Sequence, residues 1–370
     1  MNPQIDRINE DDNELTFTLS GVNVSFANAL RRTIMSDIPC VVFKTTPHEE
    51  NKSVFLANTS RLHNEILKQR LSCVPIHIND VEAYPYKNYY MELNVENLTD
   101  SILYVTSKDF IVKDIATKTP ISKDENRAIF PQNDYTECFI DFVRLRPKLS
   151  DEIPGEKIHL TCDFSIGTAK EDGMFGVVST CAYGFTVDKT EMERELGRKR
   201  SEWEREGKTK EEIDFESENW KLLDGLRVTK KDSFDFVIQT VGVFTNRDLI
   251  QKASDILVSR LGQLEMQIDE NALVIKPALN TMTNCYDIIL ENEDYTIGKV
   301  IEFMLYAKFY ETKVLTYCGF KKMHPHDHES IIRVAYAKEV DKGTIYGHLK
   351  ECIVEAKQVI DKINSKFAGK

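Results

Sequence analysis

The sequence predicts an α+β fold built from two related halves, and three observations carry that reading. Strand and helix periodicities alternate along the chain. The opening order of strand, amphipathic helix and further strand returns from residue 284 onward. Between the two occurrences lies a block of short β segments, from about 88 to 187, that reads as a subdomain of its own.

Each element has a local reason. ELTFTLS at 14–20 alternates apolar and polar side chains, as a half-buried strand does. Gly21 turns the chain, and Asn23 can cap a helix over VSFANALRRTIMSD. Val24, Ala27, Leu30, Ile34 and Ile38 share one face of it, and Pro39 ends it by disfavouring helical geometry at Ile38. CVVFKT at 40–45 is a β-branched strand. A second helix is expected over 60–71 with Leu62, Ile66 and Leu71 inward, and after Pro75 the segment IHI reads as strand. YYMELNVEN, ILYVTS, FIVKDI, CFIDFVRL, KIHLTCDFSIG and VVSTCAYGFTV make up the β block, separated by Asn, Asp, Pro and Gly turns. Residues 188–232 carry Glu, Arg and Lys three and four apart, the pattern of an exposed helix. Thr245 and Asp248 form a capping pair for a long helix lined by Leu249, Ala253, Ile256, Leu257, Leu261, Leu264 and Ile268. Strand NCYDIILEN, helix YTIGKVIEFMLYA with Asp294 or Thr296 as its cap, and strands KVLTYCGF and SIIRVAYA come next. A final helix over about 343–366 turns Ile345, Leu349, Ile353, Ala356, Ile360 and Ile363 inward.

Composition narrows the function. A chain of 370 residues, 41% hydrophobic and 29% charged, is long enough for two or three domains and too apolar to be disordered throughout. Its net charge of -12 argues against nucleic acid phosphates as its direct target. No apolar run reaches the ~20 residues of a membrane span. The polar, acidic start MNPQIDRINEDDNE is unlike a signal peptide, so an intracellular location is expected. The eight cysteines contain no CxxC pair, and those in LSCVP, LTCDF and STCAY read as small buried hydrophobes, so free thiols in a reducing compartment are expected. His324, His326 and His328, with Asp327, offer a possible zinc site and hence an alternative function, a small metal-binding hydrolase. The competing reading is a polar turn between strands, since no second ligand group lies nearby.

The two helix starts can be laid on each other, Phe26-Ala27-Asn28-Ala29-Leu30 against Ile297-Gly298-Lys299-Val300-Ile301. A small residue, Ala27 or Gly298, then falls at the same place, where it would let two helices approach at a crossing. If the repeat is real, each half exposes an apolar stripe that it cannot cover alone, and the halves pack about a pseudo-two-fold axis. The alternative is chance similarity between two ordinary strand–helix pieces.

VSFANALRRTIMSDIP resembles the signature of the α-type assembly subunits of DNA-dependent RNA polymerase, the family of bacterial α, its archaeal D-type counterpart and the third-largest subunit of eukaryotic polymerase II. NEILKQRLSCVPI, TSKDFIV, KIHLTC, GTAKEDGMFGVVS and VGVFTNRDLIQKASDILVSRL are similar to successive parts of the same family. ENEDYTIGKVI, CGFKKMHPHDHESIIRV and the final helix resemble a different, smaller polymerase chain, archaeal L and its eukaryotic counterpart. The resemblance implies two RNA polymerase α-like dimerisation domains in one chain, forming a pseudo-dimer, with a β-rich domain inserted in the first. The boundaries expected are 1–50 with 233–275 (51–80 partly belonging) for the first dimerisation domain, 81–187 for the insert, 188–232 for the charged excursion and 280–370 for the second.

The function implied is a non-catalytic assembly subunit, without cofactor, on which the two largest polymerase subunits dock, with DNA reached only through the complex and no homodimer. Asn28, Arg31 and Arg32 are the expected partner-binding residues. Ala27, Leu30, Ile34, Leu257, Leu261, Gly298, Ile301, Leu305 and Ile353 are the expected intramolecular dimer core. Fusion of the two subunits also implies a large DNA virus as source, with the virion and host cytoplasm as locations. Two departures from the family matter. YPYKNYYMELNVEN has no cysteine where several members carry a zinc loop, so no metal is carried over. Lys299 and Glu302-Phe303 stand where Asn28 and Arg31-Arg32 stand in the first half, so docking through the basic pair is expected on one side only.

Overall fold

The computed structural model describes residues 1–11, 13–150, 152–279 and 281–367. They divide into two compact units, one of residues 1–33, 180–239 and 250 onward, the other of residues 34–179 and 240–249. Among the described residues no helix is long and apolar enough to cross a membrane.

The first unit holds two four-stranded sheets of the same design. One runs in the order β1 (Gln4–Asp11), β2 (Glu14–Ser20), β11 (Thr229–Thr240), β10 (Val178–Val187). The other runs β12 (Ile275–Pro277), β13 (Cys285–Glu291), β15 (Glu329–Tyr336), β14 (Leu315–Lys321). In each, a helix follows the second strand, α1 (Val24–Ser36) after β2 and α7 (Tyr295–Leu305) after β13. In each, a long helix leaves the third strand of the sheet, α6 (Asn246–Asp269) after β11 and α8 (Lys342–Phe367) after β15. Most of the second unit lies in sequence between α1 and β10, and a short piece of it lies between β11 and α6. Between β10 and β11 stand α4 (Lys189–Arg205) and α5 (Lys210–Leu222).

Register explains the first sheet's core. Leu15, Phe17 and Leu19 of β2 face Ile238, Phe236 and Phe234 of β11, and all six are buried. Phe17 stacks on Phe236 at 5.0 Å and meets Phe367 of α8 edge-on at 5.0 Å. Such ring pairs add about 0.5–1.5 kcal/mol each beyond their buried area. In α8, residues 345, 349, 353, 356, 360 and 363 all face inward as the helical period requires.

Gly298 has a different role from the one its alignment suggested. A Cβ there would lie 2.0 Å from the Phe320 ring on β14, so the missing side chain lets α7 press on its own sheet. Val24, expected inward, is 38% exposed, and Phe26 and Ala29 are buried in its place. The charged segment is two helices, not one. Gly207 (φ +82) turns between them, each start is capped, by Asp188 and Thr209, and Leu196 and Ile213 are buried. Arg200 ties the helices together through Asp214 at 2.9 Å and Ser217 at 2.8 Å.

In the second unit β9 (Lys157–Gly167) is the centre. Its C-terminal half pairs with β3 (Cys40–Phe43) and its N-terminal half with β4 (Ser53–Asn58), while β5 (Tyr89–Glu96) lies along its other side and carries β7 (Ile111–Asp114). Strands β6 (Leu103–Thr106) and β8 (Asp141–Leu145) form a separate pair. Helices α2 (Asn64–Ser72) and α3 (Lys123–Ile129) complete the unit. Phe43, Phe110, Phe130, Phe142 and Phe164 form its aromatic core.

Several expectations are corrected. Strands β3 and β4 pair with β9, and β10 pairs with β11 in the sheet of β1 and β2. Helix α2 begins four residues late and buries Leu67 instead of Ile66; IHI buries both isoleucines without joining a sheet. Helix α3 had no strong period to announce it. As expected, none of the eight cysteines forms a disulfide, but Cys73 is exposed rather than buried.

Gly298→Val should lower stability by about 1–3 kcal/mol through overpacking on Phe320. Thermal melts of the single variant and of Gly298→Val with Phe320→Ala test this. The second change should recover part of the loss if the ring is the obstacle.

Candidate docking cleft

Helix α1 starts where Gly21 (φ +74) turns the chain and the Asn23 carboxamide accepts the Ser25 N–H at 2.9 Å. Its buried face carries Phe26, Ala27, Ala29 and Leu30, which leaves Val24, Asn28 and Arg31 on the opposite side. The Asn28 side-chain Oδ1 accepts from Arg31 Nε at 3.1 Å and Nη2 at 3.0 Å. This bracing holds the guanidinium against the helix. The Arg31 carbonyl accepts a hydrogen bond from the Cys181 thiol, whose pKa is pushed up to about 12 by burial.

Helix α7 is capped by Asp294, not Thr296: the Asp294 carboxylate accepts the Thr296 N–H at 2.8 Å. The helix then passes into a π turn, Tyr306–Tyr310, with the two tyrosine rings stacked at 4.7 Å. Asn28 and Val24 of α1, Tyr183 of β10, and Lys299, Glu302 and Tyr306 line a cleft of about 400 Å³. Lys299 and Glu302 pair with each other at 2.5 Å. Phe303 closes the floor, edge-on to Phe26 at 6.5 Å. Burial raises the Tyr183 phenol pKa, against the opposing pull of Arg31, so the hydroxyl stays a neutral donor.

Arg31 and Arg32 part company. Arg32 Nε donates to Thr296 Oγ1 at 2.9 Å and Nη2 to Asp294 Oδ2 at 2.8 Å, so its head group is engaged within the chain. Arg260 of α6 reaches the same corner, paired with Glu293 and 3.9 Å from Asp294. Asn28 and Arg31 are therefore brought to one face, and Arg32 is turned away from it. The nine expected core positions are all buried. Sequence reasoning missed Tyr183 and Tyr306, because nothing local marks a strand residue and a helix end as neighbours. It did register Lys299 and Glu302, as the pair standing where Asn28 and Arg31 stand.

The histidine run gathers no ligand set. His324, His326 and His328 are exposed between β14 and β15, and the His326 N–H donates to His324 Nδ1 at 3.2 Å. Among the described residues no group of three or more His, Cys, Asp or Glu is placed to hold a metal ion.

Burial would raise the Asp294 pKa, but the Thr296 backbone and hydroxyl donors, then Arg32 and Arg260, outweigh it and bring it from 3.8 to about 2. A carboxylate depressed in the folded state stabilises the protein above its unfolded pKa, and that contribution is lost as pH falls through the folded one. Asp294→Asn should therefore flatten the acid loss between 3.8 and about 2. At neutral pH it should lower stability by about 1–2 kcal/mol after solvent screening. Urea unfolding over a pH series checks both.

Residues 16–261 match the model of the RNA polymerase Rpb3/Rpb11 dimerisation domain. The chain is similar to DNA-directed RNA polymerases I and III subunit rpac1 of Dictyostelium discoideum, 25% identical over 73% of this chain and 83% of that protein. It is similar to the Homo sapiens subunit RPAC1, at 24% identity over 72% and 85%. Subunit Rpo3 of Pyrococcus horikoshii is 31% identical over 31% of this chain and 45% of its own length. With most of β2, the α1 signature, β10, β11 and most of the long helix α6 inside one matched span, the chain belongs to the RNA polymerase Rpb3/Rpb11 dimerisation domain family.

Proposed function

We propose that this protein is a non-catalytic assembly subunit of a multisubunit DNA-directed RNA polymerase, in which two α-like halves pair within one chain and form a platform for the two largest subunits. The observation that carries the pairing is a reciprocal contact. With Phe26 matched to Ile297 and Arg32 to Phe303, Phe26 touches Phe303 while Arg32 touches Thr296, next to Ile297. Contacts exchanged in this way are the mark of an isologous interface. The long helices support it with a ladder in opposite directions: Lys350 to Asp269 at 2.7 Å, Lys357 to Glu265 at 2.5 Å and Asn364 to Asp255 at 3.1 Å. The second sheet, with the strand order of the first, supports reading residues 280–370 as the small-subunit-like domain. The fused order is what supports a viral source.

Docking falls to Asn28 and Arg31 with the cleft beside them, and DNA is reached only through the assembled enzyme. A guanidinium held by its neighbour loses little freedom on meeting a partner carboxylate or carbonyl. The other half presents Lys299 already paired with Glu302, so the same contact is not offered twice.

Arg31→Glu should leave the chain folded and lower thermal stability by about 1 kcal/mol at most, through loss of the bonds to Asn28 at a half-buried position. It should weaken capture of the largest subunits by about 2–5 kcal/mol, more than tenfold. Arg32→Glu should instead destabilise the chain by opposing Asp294. Retention of the large subunits by folded Arg31→Glu would refute the docking role. Because each half covers the other's stripe, the purified chain should sediment as a monomer; a tight homodimer would refute the internal pairing.

A further inference from the structure

A second cleft, of about 670 Å³, lies in the unit of residues 34–179 and 240–249. One wall is the stacked pair Tyr84 and Tyr89, ring centroids 5.5 Å apart. Asp80 and Glu125 supply carboxylates, and among the described residues lining the cleft none is lysine or arginine. Both carboxylates are held in place: Asp80 Oδ1 accepts the Ala83 N–H at 2.9 Å, and Glu125 closes a capping box with Ser122. A carboxylate has about four acceptor positions, so each keeps capacity for a ligand. His77 stands at the base, where Gly242 (φ +105) runs so close that a Cβ would lie 3.2 Å from the imidazole. Burial lowers the His77 pKa, so the ring is neutral at physiological pH and opposes no cation. Ile78, Ile121 and Ile129 add an apolar lining.

We propose that this cleft receives an arginine side chain from a partner polypeptide, with the guanidinium between Asp80 and Glu125 and its flat face on the Tyr84–Tyr89 pair. The charge of the lining selects a cation. The aromatic wall favours a planar guanidinium over a compact ammonium, because the planar group both stacks and pairs with carboxylates. The cleft is larger than one side chain, and its isoleucines suit an apolar residue beside the arginine. The site rests on its own geometry and not on the polymerase reading.

The test is fluorescence anisotropy of the full chain with a short labelled peptide of Arg, Leu and Gly, against peptides with Lys or Glu in place of Arg. Wild type should prefer the Arg peptide to the Lys peptide, and the Glu peptide should not bind. Asp80→Asn with Glu125→Gln keeps both backbone hydrogen bonds and should weaken binding by about tenfold or more. Tyr84→Leu should weaken it and Tyr84→Phe should not, since the ring rather than the hydroxyl is used. Glu211→Gln with Glu212→Gln, on α5, should change nothing; an equal loss there would mean attraction to the acidic surface at large and would overturn the site. Wild-type binding by the folded Asp80/Glu125 double variant, or no binding by wild type, would overturn it too. Displacement of the peptide by equimolar spermidine would move the ligand to a small polyamine and overturn the polypeptide assignment.

Discussion

The start of α7 is the constraint on which the first unit depends. Asp294 caps the helix, accepts from Thr296 and draws Arg32 of α1 and Arg260 of α6 to one point. An anion belongs at a helix N-terminus, where unpaired N–H groups and the helix dipole favour it. Here that anion also joins three helices. Arg260 and Glu293 are nearly enclosed, with side chains 14% and 10% exposed, so removing one member would leave an uncompensated charge in a poorly hydrated corner. The orientation of α1 is fixed partly by apolar burial and partly by this cluster, because Arg32 can reach Asp294 only with α1 in one rotational setting.

That setting decides what the rest of α1 shows. With Phe26, Ala27 and Leu30 inward and Arg32 held, Val24 and Asn28 line the cleft and Arg31 shares their face of the helix. A helix turned by one residue would move each of them by about 100° and exchange the two arginines. The difference between adjacent arginines of one sequence motif, one bonded to Asn28 on its own helix and one to Thr296, is therefore a property of helix rotation and of a partner 264 residues away.

The second unit is organised by a different means. Its central strand β9 is long enough to pair with two short strands in succession, and its interior is a cluster of phenylalanines rather than a helix stripe. This is why the boundary between the units differs from the expected one. CVVF looks like any buried strand, and only pairing shows whose sheet it joins.

The sequence by itself determined the elements with strong local causes. The capping pair Thr245 and Asp248, the stripes of α6 and α8, the alternation of β2 and the return of the strand–helix order in the second half all follow from side-chain period and local hydrogen bonding. It also marked Asn28, Arg31 and Arg32 together through a motif resemblance, without separating the two arginines. It did not determine the face of α2, where Ile66 and Leu67 are both apolar and only packing chooses Leu67. Nor did it determine the split of 188–232 into two helices, where charge is dense and the apolar period weak. The tertiary structure alone decided that Arg32 turns to Asp294, that Gly298 makes room for Phe320, and that Tyr183 and Tyr306 share a cleft. Those outcomes depend on contacts between distant segments, whose free energy is set by shape and burial after the chain has folded, and no local pattern encodes it.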